Sequence, residues 1–344
     1  MRIFKPNKVG KPKPYIIIEM AQSHDGSIGM LHSMIDEISK LGVDAIKFQI
    51  HFSSEESSNQ DKFRVKLNNS DKSRFDYWKR IEFSPEEWVQ IINHCKKKKI
   101  DFLFSVFSNK AVDLANKLGT KAWKIASGEL QSKFLINHIL SISKKPILVS
   151  TGLSKWSEIH EIFNYLKKKR KIALFQCTSE YPTKTKNVGL NVIKELQNEF
   201  SCPVGLSDHT GEIYAPIAGI ASGIDFLELH FTFSKRMFGP DSSSSLESSQ
   251  ISQIVKFRDK FNEMLDNPVN KNTIAKKLTK NRRFFGRSLA LKHDKEKGYV
   301  IKRNDLTLKK PATGIDSSKI KLFIGKKLKI KKSAKDLLRL SDIE

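Results

Sequence analysis

The segment Val204–Thr210, VGLSDHT, is an apolar run that ends in a serine, a carboxylate and an imidazole. A second segment of the same build, Phe226–Thr232, FLELHFT, follows it with room for one helix between the two. A strand buried only for structural reasons does not usually end this way. Two such ends in succession, each pairing a histidine with an acid, make the ends of the remaining strands the place to look.

Six more runs of this kind precede them: Tyr15–Ala21 (YIIIEMA), Ala45–Gln49 (AIKFQ), Asp101–Phe107 (DFLFSVF), Ala122–Ser127 (AWKIAS), Pro146–Gly152 (PILVSTG) and Ile172–Thr178 (IALFQCT). Stretches of helical period separate them, among them 28–41, 85–95, 155–168 and 190–200. Ser84-Pro85-Glu86-Glu87 supplies a hydroxyl at the N-cap, proline at the first helical position and acids in the first turn. Alternating strand and helix signals predict βα units on a parallel sheet. Eight units within residues 1–266 match the size of a (β/α)8 TIM barrel. An open doubly wound sheet seldom has eight such strands and carries a glycine-rich fingerprint after the first, which is absent here.

The character changes after Asp266. Residues 267–285 read as a linker in composition, and residues 286–344, with short strands broken by Gly, Pro and Asn, as a small β-rich domain of marginal size on its own.

Composition narrows the function classes. The chain has 344 residues, 39% hydrophobic and 29% charged, as expected of a globular protein. No apolar stretch is long enough to span a membrane and the first residues lack a secretory run, so a cytoplasmic location is expected. Cys95, Cys177 and Cys202 have no paired spacing, which speaks against a disulfide framework or a thiolate zinc site. The net charge of +25 comes mainly from lysines spread along the chain. Nucleic-acid sites interleave arginine and aromatics with lysine, and that pattern is absent. A basic nucleic-acid-binding protein remains the competing reading from another class.

In a (β/α)8 barrel, catalysis sits at the C-terminal ends of the strands. Those ends here carry Glu19; Lys47, Gln49 and His51; Lys124, Ser127 and Glu129; Ser150; Gln176 and Tyr181; Ser207, Asp208 and His209; and Glu228 and His230. Buried charges are costly unless they pair or bind something, so their convergence on one rim points to a site. The lysines suit an anionic ligand such as a phosphate or carboxylate. Two histidines on adjacent strands, each beside an acid, suit a divalent metal such as Mn, Fe, Co or Zn.

The segments EMAQSHDGS (Glu19–Ser27), IKFQ (Ile46–Gln49), WKIASGE (Trp123–Glu129), LVSTG (Leu148–Gly152), QCTSEYPT (Gln176–Thr183), VGLSDHT and FGPDSSSSLE (Phe238–Glu247) resemble the sialic acid synthase family. These enzymes condense phosphoenolpyruvate with an N-acylated mannosamine-type sugar to N-acetylneuraminate or N,N'-diacetyllegionaminate. The tail LTLKKPATGI (Leu306–Ile315) resembles the antifreeze-protein-like (SAF) domain that ends them. The resemblance implies a domain-swapped homodimer in which the small domain caps the partner's site.

It implies His209 and His230 as metal ligands, for Mn2+ above Mg2+ or Co2+. Lys47, Lys124, Ser127, Ser150 and Ser207 would contact phosphoenolpyruvate, with Glu19 and Glu129 beside the reacting carbons and Gln49, Tyr181 and Asp241 on the sugar side. Ser105 and Asp208 join the substrate-binding set. Three departures are visible: Ser105-Val106 where members often have threonine and proline, Ser179-Glu180 before the YP pair, and Lys310 where some members have an arginine that touches the sugar. The last two leave the acceptor open between N-acetylmannosamine and 2,4-diacetamido-2,4,6-trideoxymannose, the altrose precursor of pseudaminate being less favoured because the GPD segment is more typical of the other two, and phosphorylated acceptors of the deoxy-octulosonate type are an alternative chemistry.

Overall fold

Eight parallel strands close on themselves in sequence order: β1 (Tyr15–Glu19), β2 (Ala45–Ile50), β3 (Asp101–Val106), β4 (Trp123–Ile125), β5 (Ile147–Ser150), β6 (Ile172–Cys177), β7 (Val204–Asp208) and β8 (Phe226–His230). β1 pairs with both β2 and β8, which closes the ring. A computed structural model describes residues 13–65 and 71–344. The first residues, read above for a leader, lie largely outside it. Among the described residues, no helix is long and apolar enough to cross a membrane.

Side chains along a strand alternate in direction. One set, among it Ile16, Ile18, Ile46, Phe48, Phe104, Ile147, Val149, Leu174, Leu206 and Leu229, packs outward in a single core that takes in the apolar faces of the helices. The other fills the barrel: Tyr15 and Ile17, Ala45, Leu103, Ala122, Leu148, Ala173 and Phe175, and Phe226. Gly205 makes room for this plug, since a Cβ there would lie 2.7 Å from the Phe175 ring and 2.9 Å from Phe226 Cβ. The helix Ser248–Asp266 is tied back to the start of β2 by Arg258, which is 2% exposed and donates to Asp44 at 2.7 Å and to the Gly42 carbonyl at 3.0 Å.

The strand runs and the helices named from periodicity match observed elements; the helix after Ser84, for instance, spans Pro85–Lys97 with Ser84 and Glu87 forming a capping box. The sequence reading placed no helix between β2 and that one, yet two short helices, Ser53–Glu56 and Arg74–Ile81, stand there.

The chain divides into Met1–Asp266 and Asn267–Glu344. In the second unit, the stretch read as linker carries the helices Lys271–Lys277 and Thr279–Phe285. Strands β9 (Ser288–Leu291) and β10 (Leu306–Lys309) pair antiparallel over a core of Leu289, Leu291, Ile301, Leu306, Phe323, Leu328 and Leu338.

Candidate active site

The inward series changes chemistry at the C-terminal ends of the strands. β1 runs Tyr15, Ile17, Glu19; β2 runs Ala45, Lys47, Gln49; β3 runs Leu103, Ser105; and β8 runs Phe226, Glu228, His230. Apolar residues fill the lower layers and polar residues the top one. Above that layer lies a cavity of about 590 Å³, lined entirely by residues of the first unit. That is within the roughly 300–1,000 Å³ typical of small-molecule sites.

Its floor is a quartet of buried charges. Lys47 Nζ binds Glu19 and donates to Ser105 Oγ at 2.8 Å. Lys124 Nζ donates to Glu228 at 2.9 Å and sits 3.7 Å above the Phe175 ring. Lys47 lies 3.7 Å from Glu228, and the Ser207 hydroxyl donates to Glu228 at 3.0 Å. All four charged side chains are at most 5% exposed, so each depends on the others for charge compensation. Burial opposes the Lys47 charge, but Glu19 and Glu228 together outweigh it and raise its pKa. At Lys124 burial prevails, and Lys47 adds to it, so the pKa falls. Burial pushes Glu228 up, yet the two lysines hold it down at about 2. Two ammonium groups thus face two carboxylates in the floor, Lys47 the more firmly held cation and Lys124, opposed by burial and by Lys47, the one that an incoming anion would stabilise.

The histidine pair stands on one wall. The His209 and His230 rings are 5.2 Å apart, and the Tyr181 ring lies 4.3 Å from the former. His209 Nδ1 faces the Thr178 carbonyl at 3.1 Å; a carbonyl only accepts, so Nδ1 carries the proton and Nε2 keeps its lone pair. Burial, with His230 beside it, pushes the His209 pKa down to about 3, so the ring is neutral. His230 Nδ1 is buried with no hydrogen-bond partner. A tautomer-fixed neutral imidazole beside one with an unsatisfied buried nitrogen is a donor set that fits a divalent ion. Among the described residues no set of three His, Cys, Asp or Glu that could hold a metal ion is brought together.

Glu129, in the turn Ser127–Glu129 after β4, has its carboxyl pushed up by burial, with Glu56 adding to the effect. Opposite, Asp241 is 6% exposed and accepts from Arg64 at 2.6 Å, and the Arg64 guanidinium sits 4.6 Å from the Tyr181 ring centroid.

Of the residues singled out from sequence, Glu19, Lys47, Gln49, Ser105, Lys124, Ser127, Glu129, Ser150, Tyr181, Ser207, His209, His230 and Asp241 line this cavity. Asp208 does not. Strand alternation turns it away from Ser207 and His209, and its carboxylate accepts from the Thr210 hydroxyl at 2.8 Å. Lys310 belongs to the second unit, where its Nζ lies 5.7 Å from the Phe285 ring centroid. Missed altogether were Arg64, Arg74, Tyr77 and Trp78, brought in by the excursion between β2 and Pro85. A signal existed: Arg64, Arg74 and Arg80 crowd one short stretch of a chain whose cations are mostly lysine.

Known proteins match this chain over most of its length. The NeuB family model matches residues 34–270. The chain is 32% identical to an N,N'-diacetyllegionaminic acid synthase of Campylobacter jejuni, over 91% of this chain and 95% of that protein. It is 29% identical to a pseudaminic acid synthase of the same species, over 96% and 97%. Among solved structures, an N-acetylneuraminic acid synthetase of Leptospira borgpetersenii superposes with a TM-score of 0.71 at 24% identity, covering 81% of this chain and 95% of that one, which speaks for the shared fold.

Proposed function

The chain belongs to the NeuB family of sugar-acid synthases, and on that premise we propose that it condenses phosphoenolpyruvate with an N-acylated mannosamine-type sugar, in the cytoplasm. A nine-carbon acid and phosphate would result. The observation that carries this reading is the floor of the cavity, where two buried lysines stand beside two carboxylates under hydroxyls from Ser105 and Ser207.

Lys47 and Lys124 compensate the phosphate and carboxylate of phosphoenolpyruvate and fix its C3 toward the sugar aldehyde. Ser127, Ser150 and Ser207 supply hydroxyls to the same anion. As the carbon–carbon bond forms, the aldehyde oxygen takes up a proton, which Glu129 is suited to hold because burial favours its neutral form. C2 becomes electron-poor, and a carboxylate such as Glu19 stabilises it and takes the proton of the water that adds there. As the C2–O bond to phosphate breaks, the hydroxyl left on C2 gives its proton to the departing phosphate and becomes the ketone. His209 and His230 would hold a divalent ion, Mn2+ with Mg2+ or Co2+ as alternatives, which when bound supplies Lewis-acid polarisation of the aldehyde oxygen.

The test is direct. Metal-stripped protein, with and without Mn2+, is given phosphoenolpyruvate and either N-acetylmannosamine, 2,4-diacetamido-2,4,6-trideoxymannose or its altrose isomer, while phosphate and product mass are followed. Metal-dependent phosphate with one nine-carbon acid is expected. Phosphate release only with a phosphorylated acceptor would replace the reading with the deoxy-octulosonate type.

We further propose a homodimer in which the small unit, through Lys310, completes the partner's sugar site. Phe284 and Phe285 on that unit are 76% and 68% exposed, an apolar surface that association would cover. Light scattering should give twice the chain mass, and Lys310→Ala should raise the sugar KM with little change in that for phosphoenolpyruvate. A monomer with full turnover would refute this arrangement.

A further inference from the structure

Three arginines of the barrel spend the whole guanidinium on the protein. Arg80 places Nε and Nη2 on the Asp71 carboxylate at 3.0 Å each and Nη1 on Asp25 at 2.9 Å. Arg170 donates from all three nitrogens to the carbonyls of Ser143, Lys169 and Leu140. Arg258 does the same to Asp259, Asp44 and the Gly42 carbonyl. Arg64, which lines the cavity, differs. Its Nη2 alone is engaged, by Asp241 Oδ1 at 2.6 Å and the Pro240 carbonyl at 3.2 Å. Among the described residues, none accepts a hydrogen bond from Arg64 Nε or Nη1, and none donates one to Asp241 Oδ2.

An open guanidinium edge beside an open carboxylate oxygen has a fixed sense, because the first only donates and the second only accepts. With 41% of the Arg64 side chain exposed, the pair contributes little to stability, so its value to the fold does not account for it. Its place points to the sugar. The Tyr181 ring touches both groups, 4.3 Å from the His209 ring and 4.6 Å from the Arg64 guanidinium. A sugar whose aldehyde meets the histidines brings its further carbons along Tyr181 to Arg64. The charges at this end favour an uncharged group. Arg74 faces Asp61 at 3.2 Å, Arg80 faces Asp71 and Asp25, and Arg64 faces Asp241. Each of these cations is already compensated, and Asp241 would repel a phosphate brought to Arg64.

We propose that Arg64 is a specificity-determining residue that, beside Asp241, donates to the end of the acceptor sugar away from its aldehyde, and that this end is uncharged. This rests on the proposed reaction for the kind of ligand that enters the cavity. A hydroxyl or amide N–H of the sugar meets Asp241 Oδ2, and a neighbouring acyl carbonyl or hydroxyl oxygen meets Arg64 Nε or Nη1.

The experiment is calorimetric titration of the full chain, with Mn2+ present, for wild type, Arg64→Met and Arg64→Lys. The ligands are N-acetylmannosamine, 2,4-diacetamido-2,4,6-trideoxymannose, N-acetylmannosamine 6-phosphate and, separately, phosphoenolpyruvate. An uncharged sugar should bind best to wild type, with the 6-phosphate weaker by about tenfold or more. Arg64→Met should weaken that sugar about tenfold, the scale of one hydrogen bond to a charged group. It should leave phosphoenolpyruvate within about twofold and melt within about 2 °C of wild type, since little stability is at stake. Arg64→Lys keeps a cation for Asp241 but not the planar fork of donors, so it should recover little of the loss. Full recovery in Arg64→Lys would show that Arg64 only holds Asp241, and would overturn the assignment. So would unchanged sugar affinity in Arg64→Met, equal losses for sugar and phosphoenolpyruvate, or a 6-phosphate bound as tightly as the best uncharged sugar. Wild-type protein that binds a sugar but makes no nine-carbon acid would overturn the proposed reaction alone. Protein that binds none of the sugars would overturn both.

Discussion

Lys124→Met is expected to lower kcat/KM by about 10³-fold or more and, on its own, to destabilise the barrel by about 3–5 kcal/mol. The two effects have one origin. Lys124 is 2% exposed and holds the nearest positive charge to Glu228, at 2.9 Å, while Lys47 reaches Glu228 only at 3.7 Å and is already engaged by Glu19 and Ser105. Removing Lys124 leaves a buried carboxylate under-compensated and withdraws the cation best placed to be held charged by a substrate anion. The double variant Lys124→Met/Glu228→Gln separates the effects: with charge removed from both partners, stability should return toward wild type while turnover stays lost. Thermal melts beside steady-state kinetics read both quantities. A single variant that keeps most of its activity, or a double variant that melts no higher than the single one, would show that the quartet does not work as a unit.

The quartet also shows what the sequence made legible. Strand runs of β-branched and aromatic residues marked all eight barrel strands, and the rule that barrel chemistry sits at strand ends then found the floor and the histidine wall, because each strand carries its own polar switch within a few residues. Strand parity, applied strictly, separates Ser207 and His209, which face the cavity, from Asp208, which does not. The residues that escaped notice come from outside this grammar. Arg64, Arg74, Tyr77 and Trp78 sit on an excursion with no strand period, and what they touch is set by folding over the barrel mouth: Asp241 for Arg64, 177 residues away in sequence, is an ion pair that no local pattern announces. The helices within 267–285 were missed for a related reason. Their exposed lysines and asparagines give the composition of a linker, and no buried stripe in them betrays the helical period.

At His230, activity and stability are expected to part. His209→Leu and His230→Leu should each lower turnover by about 10³-fold or more, on the scale of losing a whole stabilising group at the reacting centre, and should each weaken Mn2+ binding in a titration followed without turnover. Their melts should differ. His230 Nδ1 is buried without a hydrogen-bond partner, and an unsatisfied buried polar atom costs about 1–3 kcal/mol. Replacing that ring by an apolar side chain of comparable size removes the cost, so His230→Leu should melt at or above wild type. His209 Nδ1 donates to the Thr178 carbonyl, so His209→Leu strands a partner and should lose about 1 kcal/mol. A melt at or above wild type would mark His230 as a residue kept in the cavity for what it binds. Two histidines in equivalent places at the ends of adjacent strands look alike in sequence; if His230→Leu instead proved the less stable variant, or if either variant kept near-normal turnover, the pair would be part of the wall and not a ligand set.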